Sequence, residues 1–453
     1  MRISIVGMGR VGLVTGVSLA SVGHDVTGID TNLGTVEMLR QGRCSFYEPG
    51  LQELLAEQVA AGRMRFTSAV GEALPGAKVI FICVGRPAGA NGDVSMTSVE
   101  AVAADVARHA SHDVVVVVKS TVPPGTCERI ERTIDLERPE LRFHVVANPD
   151  FLRGGSALQD ALSPDRIVVG ASDAAAFRLV RRVYRDILQA GCVLIETDRR
   201  TAELAKLASN SFLATKVSFA NALATICELA DADVEGVGEI MGADPRIGPA
   251  FLQAGIGYGG FCLPNDLASL QRLALRHGYH FDLLAEVARV NEDAVVRVAR
   301  KIEDALWNLE GKRVALFGLA FKAGSDDVRS APALALARML IESGAEVVGF
   351  DPIAADVAKD EIAEMRTVTD PYEAAEGAHC IVICTEWREF RDLDLGHLRG
   401  LMRYPVLVDG RNLLDPAAMR EAGFLYMGAG RGRRPSDPAA LSPAPLVEAA
   451  SDG

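Results

Sequence analysis

The sequence has no basic excess. Across 453 residues, 47 Lys and Arg face 60 Asp and Glu, a formal net charge of −13. No run of Lys and Arg offers a groove for a phosphate backbone, so nucleic acid is excluded as an expected partner. No stretch approaches the roughly 20 apolar residues that span a bilayer. The opening MRISIVGMGR enters a strand-like run without a charged leader, greasy segment and cleavage site. The expectation is a soluble, cytoplasmic protein with no membrane partner. Eight cysteines (Cys44, Cys83, Cys127, Cys192, Cys227, Cys262, Cys380, Cys384) lack the paired short spacings of zinc sites, so no metal is expected. Most read as small buried residues in a reducing compartment.

The length predicts roughly two to four domains, which leaves room for separate cofactor and second-ligand sites. Residues 2–7 (RISIVG) read as a strand ending at Gly7, followed by an amphipathic stretch to about Val22 and a second strand, HDVTGID, ending at Asp30. Further strand-like runs lie at 77–85, 113–119, 143–149 and 166–170. Their near-continuous Val and Ile suit a parallel sheet covered on both faces. From Thr201 to about Ala232 one long helical stretch runs without Pro or Gly. It is expected to connect two domains and to offer an apolar face to a second subunit. A second strand-rich half begins at Lys312, where RVALFGLA, AEVVGFDP and AHCIVICTE echo the strands of the first half. The fold class is therefore α/β, with two doubly wound Rossmann-like domains joined by a long central helix and a helical middle domain. The expected boundaries are 1–200, 201–300 and 311–427, with a disordered Gly/Pro/Ala-rich tail over 428–453.

Gly7, Gly9 and Gly12 form a G-x-G-x-x-G that follows a strand and opens a helix, and Asp30 ends the next strand 18 residues beyond Gly12. Gly7 permits the tight turn, Gly9 lets backbone approach a pyrophosphate, and Gly12 lets helix and strand pack closely. The helix N-terminus favours the negative charge. Asp30 would accept from ribose hydroxyls and repel a 2′-phosphate, so NAD is the expected cofactor.

In AGIGYGGFCLPND, Gly257, Gly259 and Gly260 allow close backbone approach to a ligand, and Pro264 suits a helix's first turn. Cys262 then lies at a helix N-terminal edge, where the dipole favours a thiolate, with Asp266 one turn on along the same face. A lone cysteine is more often core packing, and both readings stand. On the long helix Lys206 and Asn210 are separated by one turn. They read either as a solvated helix face or as groups aimed at a developing oxyanion.

Taken together, GMGRVGLVTG (7–16), YEPGL (47–51), KSTVPPGT (119–126), NPDFLRGGSAL (148–158), PDRIVVG (164–170), AKLASNSFLATKVSFANAL (205–223), DPRIG (244–248), GYGGFCLPND (257–266), FKAGSDDVRSAP (321–332) and DGRNLLDP (409–416) closely resemble the UDP-glucose 6-dehydrogenase family, within the wider UDP-glucose/GDP-mannose dehydrogenase group. The resemblance runs from residue 1 to about 420. It implies two successive oxidations at a sugar C6 with two NAD per product, the aldehyde being captured by Cys262 as a thiohemiacetal that becomes a thioester and is hydrolysed. It further implies that Lys206 and Asn210 stabilise the oxyanion and that Asp266 acts as base through a water placed by Thr121. Asp150 takes an acid–base position. Gly7, Gly9, Arg10, Val11, Gly12, Asp30, Gly85, Thr121 and Arg329 would meet the cofactor. Phe151, Leu152, Arg153, Lys206, Asn210, Phe251, Tyr258, Gly259, Lys322 and Arg411 would meet a UDP-sugar, with Lys322 and Arg411 on the C-terminal side. Arg246 would reach a neighbouring subunit's ligand. Arginine suits such sites because its planar fork engages phosphate oxygens in pairs. A homodimer or higher homo-oligomer is implied as well.

Five positions depart from the family pattern. Asp150 stands for a glutamate, and a misplacement near 1 Å can cost on the order of 100-fold in rate. Gly154 replaces an acidic residue, and Asn265 replaces a lysine, which removes a positive charge beside Cys262. Phe261 replaces the commoner serine, and Arg86 the usual threonine. The alternatives are a sister enzyme on another nucleotide sugar such as GDP-mannose, one that stalls at the aldehyde or thioester, and a non-catalytic NAD and nucleotide-sugar sensor.

Overall fold

The computed structural model describes residues 1–85 and 96–431, and Arg86 lies outside them. The chain divides into two compact units. The first comprises Met1–Phe212, Gly260–Ala285 and Ala320–Arg329, and the second Leu213–Gly259, Glu286–Leu319 and the chain from Ser330 onward.

The first unit is built on eight strands: β1 (Arg2–Val6), β2 (Asp25–Ile29), β3 (Met64–Thr67), β4 (Val79–Ile82), β5 (Val114–Val118), β6 (Phe143–Ala147), β7 (Arg166–Gly170) and β8 (Val193–Thr197). Their order is β3-β2-β1-β4-β5-β6-β7-β8. The pairs are parallel except that β7 meets β6 antiparallel, through Ala147 and Gly170. The sheet is thus mixed at that seam, where the expected sheet is wholly parallel. All five valines of β5 are buried. Val115 and Val117 join one apolar cluster, with Ile3, Ile5 and Phe81, while Val114, Val116 and Val118 join another, with Ile80 and Ile82. Side chains alternate across a strand, so an unbroken valine run is what a sheet covered on both faces requires.

The second unit holds β9 (Arg313–Phe317), β10 (Glu346–Phe350), β11 (Arg366–Val368), β12 (Cys380–Ile383), β13 (Val406–Asp409) and β14 (Leu425–Gly428). Every pairing is parallel, in the order β11-β10-β9-β12-β13-β14. This order repeats that of the first six strands of the other unit, the doubly wound arrangement that the internal echo predicts. Gly428 closes β14 and Arg431 bridges Asp233, so order extends four residues into the expected tail; the remainder of 428–453 lies outside the described residues.

A 31-residue helix, Arg199–Leu229, carries the chain from one unit into the other. By length and composition it is apolar enough to cross a membrane, contrary to the expectation that no stretch comes near that test. Yet Glu203, Lys206, Asn210 and Asn221 are buried along it, and Glu203, Asn210 and the Asn221 Oδ1 are hydrogen-bonded to protein partners.

Candidate functional site

The dinucleotide turn begins where β1 ends. Gly7 adopts φ 95° and donates its N–H to Ile29 O at 2.8 Å. A Cβ on Gly12 would come 1.8 Å from Gly7 O, a clash that makes glycine obligatory there. Helix Arg10–Ser21 starts at once, with Gly9 as N-cap and no side chain capping it, and nothing stands within 4 Å of the place where a Gly9 Cβ would be. The first amides of the helix are therefore available to an anion. Asp30 accepts from Met8 N at 2.8 Å and Asn32 N at 2.9 Å, which holds the carboxylate at the tip of β2. An uncapped helix start, a cradle that a Cβ would fill and an acid on the next strand fit a dinucleotide. Val11 is half-buried in the first turn, and Gly85 is exposed beyond β4. Arg10 ion-pairs with Asp326, lies 3.8 Å from Asp327, and sits 4.8 Å from the Phe46 ring centre.

Cys262 opens helix Cys262–Arg276, with Phe261 as N-cap. Beneath it Asp266 is buried and accepts from Asn210 Nδ2 at 2.7 Å, which spends one amide hydrogen of Asn210. Lys206, one turn earlier on the long helix, is buried with Nζ 3.8 Å from Asp150 Oδ1 and 5.2 Å from the Phe151 ring centre. Asp150 and Phe151 follow β6, and Leu152 N donates to Asp150 Oδ1 at 3.3 Å. Thr121 is buried in the loop after β5. Arg153 grips Asp160 through Nη2 at 2.5 Å and Nε at 3.1 Å. Arg329 holds Asp327 with two nitrogens, at 2.8 and 2.6 Å.

Cys262 keeps an exposed edge, but the surrounding protein pushes its thiol up to about 11. Loss of solvent is the main cause; Asp150 and Asp266 add to it, and Lys206 and Arg329 oppose it. The expected pull of the helix end towards the thiolate thus meets an opposing environment. Burial and two carboxylates disfavour the thiolate, and two cations favour it.

The remaining candidates lie in the second unit, except Lys322, which is half-buried in the first. Tyr258 exchanges hydrogen bonds with Asn291, N to Oδ1 at 2.8 Å and Nδ2 to O at 3.0 Å. Burial pushes its phenol up to about 12, against a hydrogen bond with Ser218. Arg411 reaches Gly257 O at 3.0 Å and Cys384 O at 2.8 Å, which ties the glycine-rich approach to β12. A Cβ on Gly259 would come 2.3 Å from Ser330 O. Phe251 is half-buried with φ 64°. Arg246 is exposed and pairs with its near neighbour Asp244 at 2.6 Å. Among the described residues no cluster of three His, Cys, Asp or Glu is arranged for a metal.

One residue escaped sequence reasoning. Glu203, buried on the long helix one turn before Lys206, accepts from Gly125 N at 2.7 Å and Cys127 N at 2.9 Å. It caps helix Thr126–Glu137 and so ties the Thr121 loop to the helix of Lys206 and Asn210. A carboxylate one turn before Lys206 was its only signal in the sequence.

A doubly wound sheet with an open glycine turn and an acid on the next strand defines a dinucleotide-binding protein of the dehydrogenase class. The chain belongs to the UDP-glucose/GDP-mannose dehydrogenase family. Residues 1–188 match its NAD binding domain, 200–293 its central domain and 315–416 its UDP binding domain. The chain is 42% identical to the UDP-glucose 6-dehydrogenase of Pseudomonas aeruginosa over 446 residues, covering 96% of this chain and 98% of that one. Among solved structures, a UDP-glucose dehydrogenase from Pyrobaculum islandicum superposes with a TM-score of 0.88 at 38% identity, covering 94% and 97% of the two chains. A UDP-D-ManNAc dehydrogenase from Pyrococcus horikoshii gives 0.84 at 29% identity, covering 95% and 99%.

Proposed function

We propose that this chain oxidises UDP-glucose at C6 to UDP-glucuronate, consuming two NAD per product, with Cys262 as covalent nucleophile. The reading rests chiefly on one observation: Cys262, the Asn210–Asp266 pair and the Lys206–Asp150 pair lie in the same unit as the glycine turn. The run DPRIGPAFLQAGIGYGG and the relatives named UDP-glucose 6-dehydrogenase favour glucose over mannose or an N-acetylated sugar.

Bound NAD supplies the hydride acceptor for both oxidations. Asp150, beside the Lys206 ammonium, takes the C6 hydroxyl proton as hydride leaves the carbon, and an aldehyde results. The Cys262 thiol adds to it: the S–C6 bond forms, the carbonyl pair becomes an oxyanion facing Lys206 and Asn210, and the thiol proton passes through water to Asp266. Collapse of that oxyanion expels the second hydride and leaves a thioester, while Asp266 releases the thiol proton to solvent. A water placed by Thr121 and deprotonated through Asp266 attacks C6, the C–S bond breaks, and the sulfur regains a proton. Phe151, Leu152, Arg153, Phe251, Tyr258, Gly259, Lys322 and Arg411 bind the nucleotide sugar, and Arg246 reaches that of a neighbouring subunit.

We further propose a cytoplasmic homodimer. Phe212, Phe219 and Ile226 recur every seven residues along the long helix and are 66%, 52% and 58% exposed. Such a stripe marks an interaction face, and a second copy of this helix would cover it.

Incubation with NAD and a panel of UDP- and GDP-sugars, counting NADH per product, tests the reading. Two NADH per uronate from UDP-glucose is the expected result. One NADH per aldehyde would mark a stalled enzyme, and binding without turnover a sensor. Cys262→Ala should abolish acid formation, and unchanged uronate production would remove Cys262 as nucleophile.

A further inference from the structure

Phe261, Asn265 and Arg329 surround Cys262 in a way that none of the steps above uses. The carbonyl of Phe261 accepts from Asn265 Nδ2 at 2.6 Å, one turn along the nucleophile helix. Gly260 N donates to Arg329 O at 3.0 Å, which lays the two segments side by side. Across that seam the Arg329 guanidinium lies 4.7 Å from the centre of the Phe261 ring, while its Nε and Nη2 hold the two oxygens of Asp327. The guanidinium is therefore fixed between a carboxylate and an aromatic face.

The charges acting on Cys262 come from four segments: Asp150 from the loop after β6, Lys206 from the long helix, Asp266 from the cysteine's own helix, and Arg329. Lys206 is already engaged by Asp150 at 3.8 Å. Residue 265 is a neutral asparagine whose side chain turns back to the backbone. Arg329 is thus the second cation opposing two carboxylates, and its place is set by Asp327 together with the ring beneath it. An aromatic face attracts a guanidinium through its quadrupole, which an aliphatic side chain of similar size does not.

We propose that Phe261 is a positioning residue whose ring, anchored through its carbonyl by Asn265, holds the Arg329 guanidinium beside Cys262 and so favours the thiolate that attacks the aldehyde. The proposal rests on Cys262 being the nucleophile, and its test reads Cys262 directly. The rate of iodoacetamide labelling of the ligand-free protein is followed against pH by mass spectrometry, with Cys262→Ala identifying the labelled site.

Phe261→Leu should slow labelling at fixed pH about threefold, moving the whole profile to higher pH, whereas Phe261→Tyr should keep the parent profile. Arg329→Gln should produce the same displacement, and Phe261→Leu with Arg329→Gln no more than either alone. Where Phe261→Leu does not fold, Phe261→Met serves in its place. An unchanged profile in the aliphatic variant, equal displacement by the tyrosine variant, or full additivity with Arg329→Gln would each overturn the proposal. None of these outcomes depends on the sugar oxidised or on the number of NADH formed.

Discussion

The two Rossmann-like halves begin with the same device and use it differently. After β1, Gly7 turns at φ 95°, its N–H on Ile29 O at 2.8 Å, and Met8 N reaches Asp30 Oδ2 at 2.8 Å. After β9, Gly318 turns at φ 91°, its N–H on Phe350 O at 2.7 Å, and Leu319 N reaches Asp351 Oδ2 at 2.7 Å. Beyond that the halves diverge. Asp30 is half-buried, and among the described residues its other oxygen accepts from Asn32 N. Asp351 is 3% exposed and also accepts from Ile353 N, Ala354 N and the Trp387 indole. In the first half a helix starts at Arg10 and leaves its amides open, whereas in the second the next helix is Pro332–Glu342. The same turn of backbone thus stands before an open helix start in the first half and beside a fully engaged acid in the second. The difference lies in how completely the acid is already satisfied.

Breaking the first turn should have the largest effect. Gly12→Val places a side chain where even a Cβ meets Gly7 O at 1.8 Å. A clash of this kind costs at least about 3 kcal/mol, so NAD affinity, measured by calorimetry, should fall on the order of 100-fold. Asp351→Ala should be felt next, as lost stability: stranding several buried donors costs roughly 2–3 kcal/mol in urea unfolding, while NAD affinity of the folded protein stays at the parent value. Asp30→Ala should reverse that pattern, weakening NAD about tenfold through loss of a ribose acceptor with a smaller stability change. Equal loss of NAD affinity in the Asp30 and Asp351 variants would erase the distinction between the halves.

Much of this was legible in the residues. Alternation and valine runs placed β1, β2, β4, β5, β6 and β7, and the echo from Lys312 placed β9, β10 and β12. The short β3 (Met64–Thr67) and the largely exposed β8 (Val193–Thr197) left no such pattern. The antiparallel seam between β6 and β7 was equally silent, because strand direction depends on how the intervening chain returns. Cys262 could be set at a helix start from the glycines before it and Pro264 after it. That its thiol is pushed up could not be read, since the cause is burial, to which Asp150 and Asp266 add and which Lys206 and Arg329 oppose, groups brought together from four separate segments.

The sequence by itself therefore determined what acts over a few residues: the glycine turn with its acid, the long helix, the helix-opening cysteine and the repeated strand-rich halves. These follow from backbone sterics and side-chain periodicity, which are local. Only the tertiary structure decided what each charge faces: Lys206 against Asp150, Asn210 on Asp266, Glu203 capping a distant helix, and Arg329 resting on Phe261. Electrostatic effect depends on distance and solvent exclusion between groups far apart in the chain, and both arise only when the segments pack.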